Sequence, residues 1–241
     1  MDPLMALGIG VAALVMSILG GVAGIGTAIG MIPVLTFAFG VREAIPIISV
    51  AMLFNNTSRM VANWDAISFR PAWWFIAGAV PASVVGASVF ANAPAEILAR
   101  GLGIFLLALV VYRHAPIGKG LRVGTRGFLG VGTVHGFLAS MFGGAGPFGA
   151  HFWLAYGLTR NAFVGTTALA TLSINLTKSI TYGKFALLDV RSLLIATAIG
   201  AVMTVGAFIG GKLVARMPER AFVYLVECIM VLAGVLLIIG V

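Results

Sequence analysis

Charge is what this chain has least of. Only 9% of its 241 residues are Asp, Glu, Lys or Arg, against about 25% in a soluble domain, which excludes an ordinary globular protein. Acids are scarcest: seven Asp and Glu stand against fifteen Lys and Arg, for a net charge of +8. A single cysteine, Cys228, excludes an intrachain disulfide and a thiolate metal site. Inside an apolar segment it reads as a small packing residue. Alternating apolar and polar positions are missing, and the apolar runs far exceed the roughly 10 residues of a barrel strand, which argues against a β-barrel. The chain has no P-loop, metalloprotease motif or serine-nucleophile elbow, so no cofactor and no metal are expected. Gly24-Ile25-Gly26 is no dinucleotide fingerprint, because no βαβ unit surrounds it. The start, Met1-Asp2-Pro3, has no basic leader, so the first apolar segment is expected to be retained.

What is present is hydrophobic. Apolar residues make up 61% of the chain and the mean hydropathy is +1.11. Since about 20 apolar residues span a bilayer, the expectation is an all-α polytopic membrane protein with the lipid bilayer as its surroundings. Charges and turn residues divide it into segments at 4–21, 26–40, 43–62, 72–91 and 95–113, then 126–142, 146–157, 160–181, 190–214 and 219–240. The segments 26–40 and 146–157 are short and follow glycine breaks. At about 1.5 Å per residue, a dozen residues cannot cross a core about 30 Å thick. They are expected to be half-helices or arms of re-entrant hairpins.

Those breaks, Gly20 to Gly26 and Gly143-Gly144-Ala145-Gly146-Pro147, stand at matching places in two halves. Gly24 and Gly143, Asn56 and Asn175, and Arg59 and Lys178 are each 119 residues apart. Ala82 and Gly86 match Gly206 and Gly210, and Pro94-Ala95-Glu96 matches Pro218-Glu219-Arg220. The expected organisation is a first transmembrane repeat over 1–113, a basic connecting loop over 114–125 and a second repeat over 126–241. The loop's positive charge places it in the cytoplasm. An odd number of crossings per half makes the repeats inverted, which is the preferred reading. A pair of interrupted hydrophobic segments in corresponding places points to a transporter's binding site.

Unwound backbone at membrane depth is tolerated only where protein buries it or it lines a cavity. Glycines let successive N–H groups converge on an anion, and a helix starting at Thr27 or Pro147 adds the positive end of its dipole. Candidate substrate contacts are therefore Gly24, Ile25, Gly26 and Thr27 with Gly143, Gly144, Ala145 and Gly146; close helix packing also accounts for the glycines. Asn55, Asn56 and Asn175 need amide partners in hydrocarbon; they either donate to a substrate or bond between helices. Arg59 and Lys178 lie near segment ends, where snorkelling to the interface is the first expectation and drawing in anions the alternative. His135 and His151 flank the second break, His151 as a candidate contact and His135 as a proton-coupling candidate. Glu227, the one acid well inside a segment, is a further proton-coupling candidate, with Lys212 or Arg216 as possible partners for local pairing, or neutral through burial.

The motif set is similar to a known family. Gly20-x-x-x-Gly24-Ile25-Gly26 with Pro33, then Phe39-Gly40-Val41 and Ala44, open the first half. Gly136-Phe137-Leu138-Ala139-Ser140, Gly143-Gly144, Tyr156-Gly157-Leu158 and Asn175 with Tyr182-Gly183 follow in the second. In this order they resemble the sulfite exporter TauE/SafE family of duplicated membrane carriers, over nearly the whole length. The chain departs from the family pattern at Thr27-Ala28, at Gly146-Pro147, and at Phe152 or Trp153 in place of Pro33. The resemblance implies a multi-pass carrier of the bacterial inner membrane, moving a small anion such as sulfite, a sulfonate or sulfoacetate, with proton coupling. The chain is expected to be no enzyme and to bind no nucleic acid. Small-residue helix faces leave a homo-oligomer open. An anion channel of the same architecture is the alternative.

Overall fold

The computed structural model describes residues 2–23, 27–114, 123–158, 160–213 and 219–240. Among them are ten α-helices and no strand: α1 (Pro3–Ala23), α2 (Thr27–Phe39), α3 (Val41–Ala62), α4 (Phe69–Asn92), α5 (Ala95–His114), α6 (Phe128–Phe142), α7 (Gly146–Ala155), α8 (Arg160–Lys184), α9 (Val190–Leu213) and α10 (Glu219–Ile239). Each helix falls on one expected segment, most within two or three residues. Phe69–Asn92, Ala95–His114 and Val190–Gly210 are long and apolar enough to cross a membrane.

Helix ends follow local chemistry. Gly40, at φ 77°, separates α2 from α3 without unwinding more than one residue. Asp189 opens α9 by accepting the Ser192 N–H at 2.7 Å, and hydrogen bonds from Ser192, side chain first, hold its carboxyl below the usual range. At the far end of α4, Arg42 reaches over from α3, its Nη2 donating to the Ala91 and Ala93 carbonyls at 2.8 and 3.2 Å. That closes orphan carbonyls at a helix C-terminus. Arg42→Ala should therefore lower stability by about 1 kcal/mol, read as a lower melting temperature in detergent.

The longest helix pairings are α4 on α6 and α1 on α9, with α3 packed between α8 and α9, and α5 along α10. Small residues set the closest of these approaches. A Cβ on Gly132 would lie 2.1 Å from the Phe75 carbonyl oxygen, and one on Gly210 would lie 2.3 Å from that of Ile18. Bare backbone faces let helices in lipid approach this closely. The short α7 is held differently. Its Trp153 is buried, stacked on Phe128 at 4.1 Å and tilted against Phe75 at 5.3 Å.

One pairing across the chain was not expected, and one expectation about charge needs correcting. Glu227 pairs across the α5–α10 contact with Arg113 at 3.3 Å and His114 at 3.2 Å, because α10 lies along α5. Lys212's side chain and Arg216 lie outside the described residues. Arg59 and Lys178 do not snorkel to an interface: Arg59 is 7% exposed and Lys178 only 1%. Lys178 lies inside α8, which continues to Lys184.

Candidate anion site

The central feature is a cavity of about 60 Å³ between α3 and α8. One stripe of α3 supplies Met52, Asn56 and Arg59, at helical spacing of four and three residues. The same spacing on α8 supplies Thr171, Asn175 and Lys178. Each of these three pairs is 119 residues apart. The first described residues of α2 and α7, Thr27 and Gly146, and the segment Gly143-Gly144-Ala145 add to the lining. His135 and Ala139 of α6 complete one wall. A water-sized atom needs about 10–15 Å³ of such space, so the cavity takes roughly four to six.

The segment between α6 and α7 is shaped by Gly143, which caps α6 in the left-handed region at φ 85°. A Cβ there would also meet the Ile32 and Ile45 side chains at 2.9 Å. The chain then re-enters helix at Gly146, with Pro147 in the first turn, where its missing N–H costs nothing. The α6 terminus leaves carbonyls that no helical N–H can reach. Lys178 Nζ donates to Ala139 O at 3.2 Å and Gly143 O at 2.9 Å, and the Tyr182 hydroxyl donates to Ser140 O.

An ammonium carries three donors, and Lys178 uses two of them on neutral carbonyls. Buried lysines are almost always paired with an acid. Here, among the described residues, no acidic side chain lines the cavity. Four further polar atoms on the lining, Thr27 Oγ1, Asn56 Nδ2, Asn56 Oδ1 and His135 Nδ1, are buried without a hydrogen-bond partner among the described residues. Leaving such groups unmade costs about 1–3 kcal/mol each. Two basic side chains, an orphaned amide and the N-terminus of α7 thus face a space the size of a small oxyanion, in surroundings that favour negative charge.

Not every candidate gathers here. Asn55 is one position, about a third of a turn, from Asn56. It faces α9, donating to Met203 O at 3.4 Å. His151 stands a turn into α7, its Nδ1–H on Pro147 O at 2.9 Å and its ring against the edge of Tyr112. Glu227 stays at the α5–α10 contact. Gly24, Ile25 and Gly26 lie outside the described residues. The remaining candidates, Thr27, Asn56, Arg59, His135, Gly143 to Gly146, Asn175 and Lys178, all line the cavity. Sequence reasoning missed Met52 and Thr171. Their signal was available: each stands one helical turn before an asparagine already singled out.

A family model described as "Sulfite exporter TauE/SafE" matches residues 9–237. The chain belongs to the sulfite exporter TauE/SafE family. Neither the curated proteins nor the solved structures compared with it give a significant match. Membership of this transporter family, together with the apolar helices, makes the chain a membrane transport protein. The TauE/SafE match spans both glycine breaks and every helix that lines the cavity.

Proposed function

We propose that this TauE/SafE protein is a secondary carrier of a small sulfur-containing or related organic anion, working by alternating access in the bacterial inner membrane. The observation that carries the reading is the buried Lys178, bonded among the described residues only to carbonyls, in a cavity whose other basic side chain is Arg59. An oxyanion there would accept from the remaining Lys178 donor, from Arg59 and from Asn56, with the first turns of α2 and α7 adding dipole stabilisation. Proton coupling is assigned to His135, the one titratable imidazole on the lining.

Two related halves, 1–113 and 126–241 as inverted repeats, suit this mechanism. The packing pattern supports them: moving five helices along the chain turns the α4–α6 pair into α9–α1 and the α3–α9 pair into α8–α4. The breaks before α2 and α7 are then the broken or re-entrant elements expected where two halves share a central site.

A melting screen of the purified protein tests the reading. Sulfite, thiosulfate and sulfoacetate should raise the melting temperature, approaching about 2.7 kcal/mol of stabilisation at 100-fold over Kd. Taurine and acetate serve as comparisons for net charge and headgroup. In proteoliposomes the flux should saturate and respond to a proton gradient. No shift with any sulfur anion would remove the substrate class, and flux at ionic diffusion rates would show a channel.

A further inference from the structure

We propose that the substrate of this chain bears a short uncharged tail of one or two carbons, which lodges in a second compartment behind His135. The inference rests on the anion site described above and adds a subsite to it. A second cavity of about 30 Å³ adjoins the first, and His135, Gly146 and Thr171 belong to both linings. The compartment is apolar beyond that shared wall, where Ala150, Trp153 and Phe163 close it. Its hydroxyls are already committed: Thr167 donates to Phe163 O and Thr171 to Thr167 O, each at 2.7 Å. Among the described residues no Lys or Arg lines this space, so it offers an oxyanion head nothing and a hydrocarbon tail a dry wall. At about 10–15 Å³ per water-sized atom it holds two or three.

His135 is the partition. It is 3% exposed, with its ring edge-on to Phe75 at 5.3 Å. Its Nδ1 has no partner among the described residues, so none of them fixes the ring by a hydrogen bond at that atom. On the side of the second compartment the ring lies over Gly149, where a Cβ would come within 2.5 Å of Nδ1. The glycine therefore leaves the imidazole its place between the two spaces. The back wall is firm, since Trp153 is stacked on Phe128. A substrate with its head between Arg59 and Lys178 would pass its tail beside His135, against Ala150 and Phe163.

Purified protein is titrated with sulfite, methanesulfonate and ethanesulfonate, and binding is read by calorimetry or melting shift. Each buried carbon is worth about 0.8 kcal/mol, or about fourfold in affinity. Ala150→Leu fills the compartment, so it should weaken ethanesulfonate about tenfold and leave sulfite within about twofold. Phe163→Ala enlarges it and should bring propanesulfonate up towards ethanesulfonate. Wild-type protein that binds sulfite and not ethanesulfonate overturns the tail subsite, as does equal weakening of both ligands by Ala150→Leu. If Ala150→Leu does not fold, Phe163→Ala decides alone, and no gain for propanesulfonate counts against the subsite. Binding of none of these anions to the wild type would instead remove the anion site itself.

Discussion

Lys178→Met should cut the affinity for sulfite about ten- to a hundredfold, and Lys178→Arg should keep most of it. A hydrogen bond to a charged group is worth about 1.5–3 kcal/mol, and each 1.4 kcal/mol is tenfold in binding. Methionine keeps the length and apolar stem of lysine, so the cavity wall survives while the donors and the charge are lost. The same change leaves the Ala139 and Gly143 carbonyls without their side-chain donor, so the unliganded protein should also melt lower, by about 1–3 kcal/mol. The two effects separate in one experiment: the baseline melting point reports the α6 terminus, and the increment on adding sulfite reports the anion. An unchanged increment in Lys178→Met would show that the ammonium serves the helix end alone.

Gly132→Ala should destabilise the protein by about 3 kcal/mol, at the upper end of the usual cost of overpacking. Its Cβ would stand 2.1 Å from the Phe75 carbonyl oxygen and 2.8 Å from its carbon. These are backbone atoms of α4, so no rotamer change relieves the overlap and the two helices must part. Gly130 is the internal control, two residues away on the same helix, with nothing within 4 Å of an added Cβ. Gly130→Ala should be neutral or slightly stabilising, since alanine is the better helix former. Equal melting temperatures for the two variants would mean that α4 and α6 do not pack this closely in lipid or detergent.

The helices themselves were legible in the sequence, because apolar run length and the flanking Gly, Pro and charged residues are local signals. The faces of those helices were not. In α3, residues 44 to 52 are buried in an unbroken run, and a helix apolar on every side has no amphipathic phase to read. Asn55 and Asn56 therefore looked equivalent, although a rotation of one residue sends one to α9 and the other to the cavity. Lys178 was read as a snorkelling residue because its partners, Ala139 and Gly143, sit on another helix. The ion pairs of Glu227 with Arg113 and His114 were hidden for the same reason, since they lie more than a hundred residues away. The repeat offset proved the better guide. It picked out Asn56 with Asn175 and Arg59 with Lys178, and extended by one turn it also finds Met52 with Thr171.

The pairing of Arg59 with Lys178 has a kinetic side. A guanidinium is a rigid planar fork that can grip two oxygens of one anion, whereas an ammonium is a point charge on a flexible stem. In a carrier of the proposed kind, inward-facing and outward-facing states exchange the roles of the two halves and leave these two side chains where they are. The anion would then dock first against the fork from one side of the membrane and against the point charge from the other. Half-saturation should differ between the two directions of flow, so two concentration gradients of equal size and opposite sense would drive unequal fluxes.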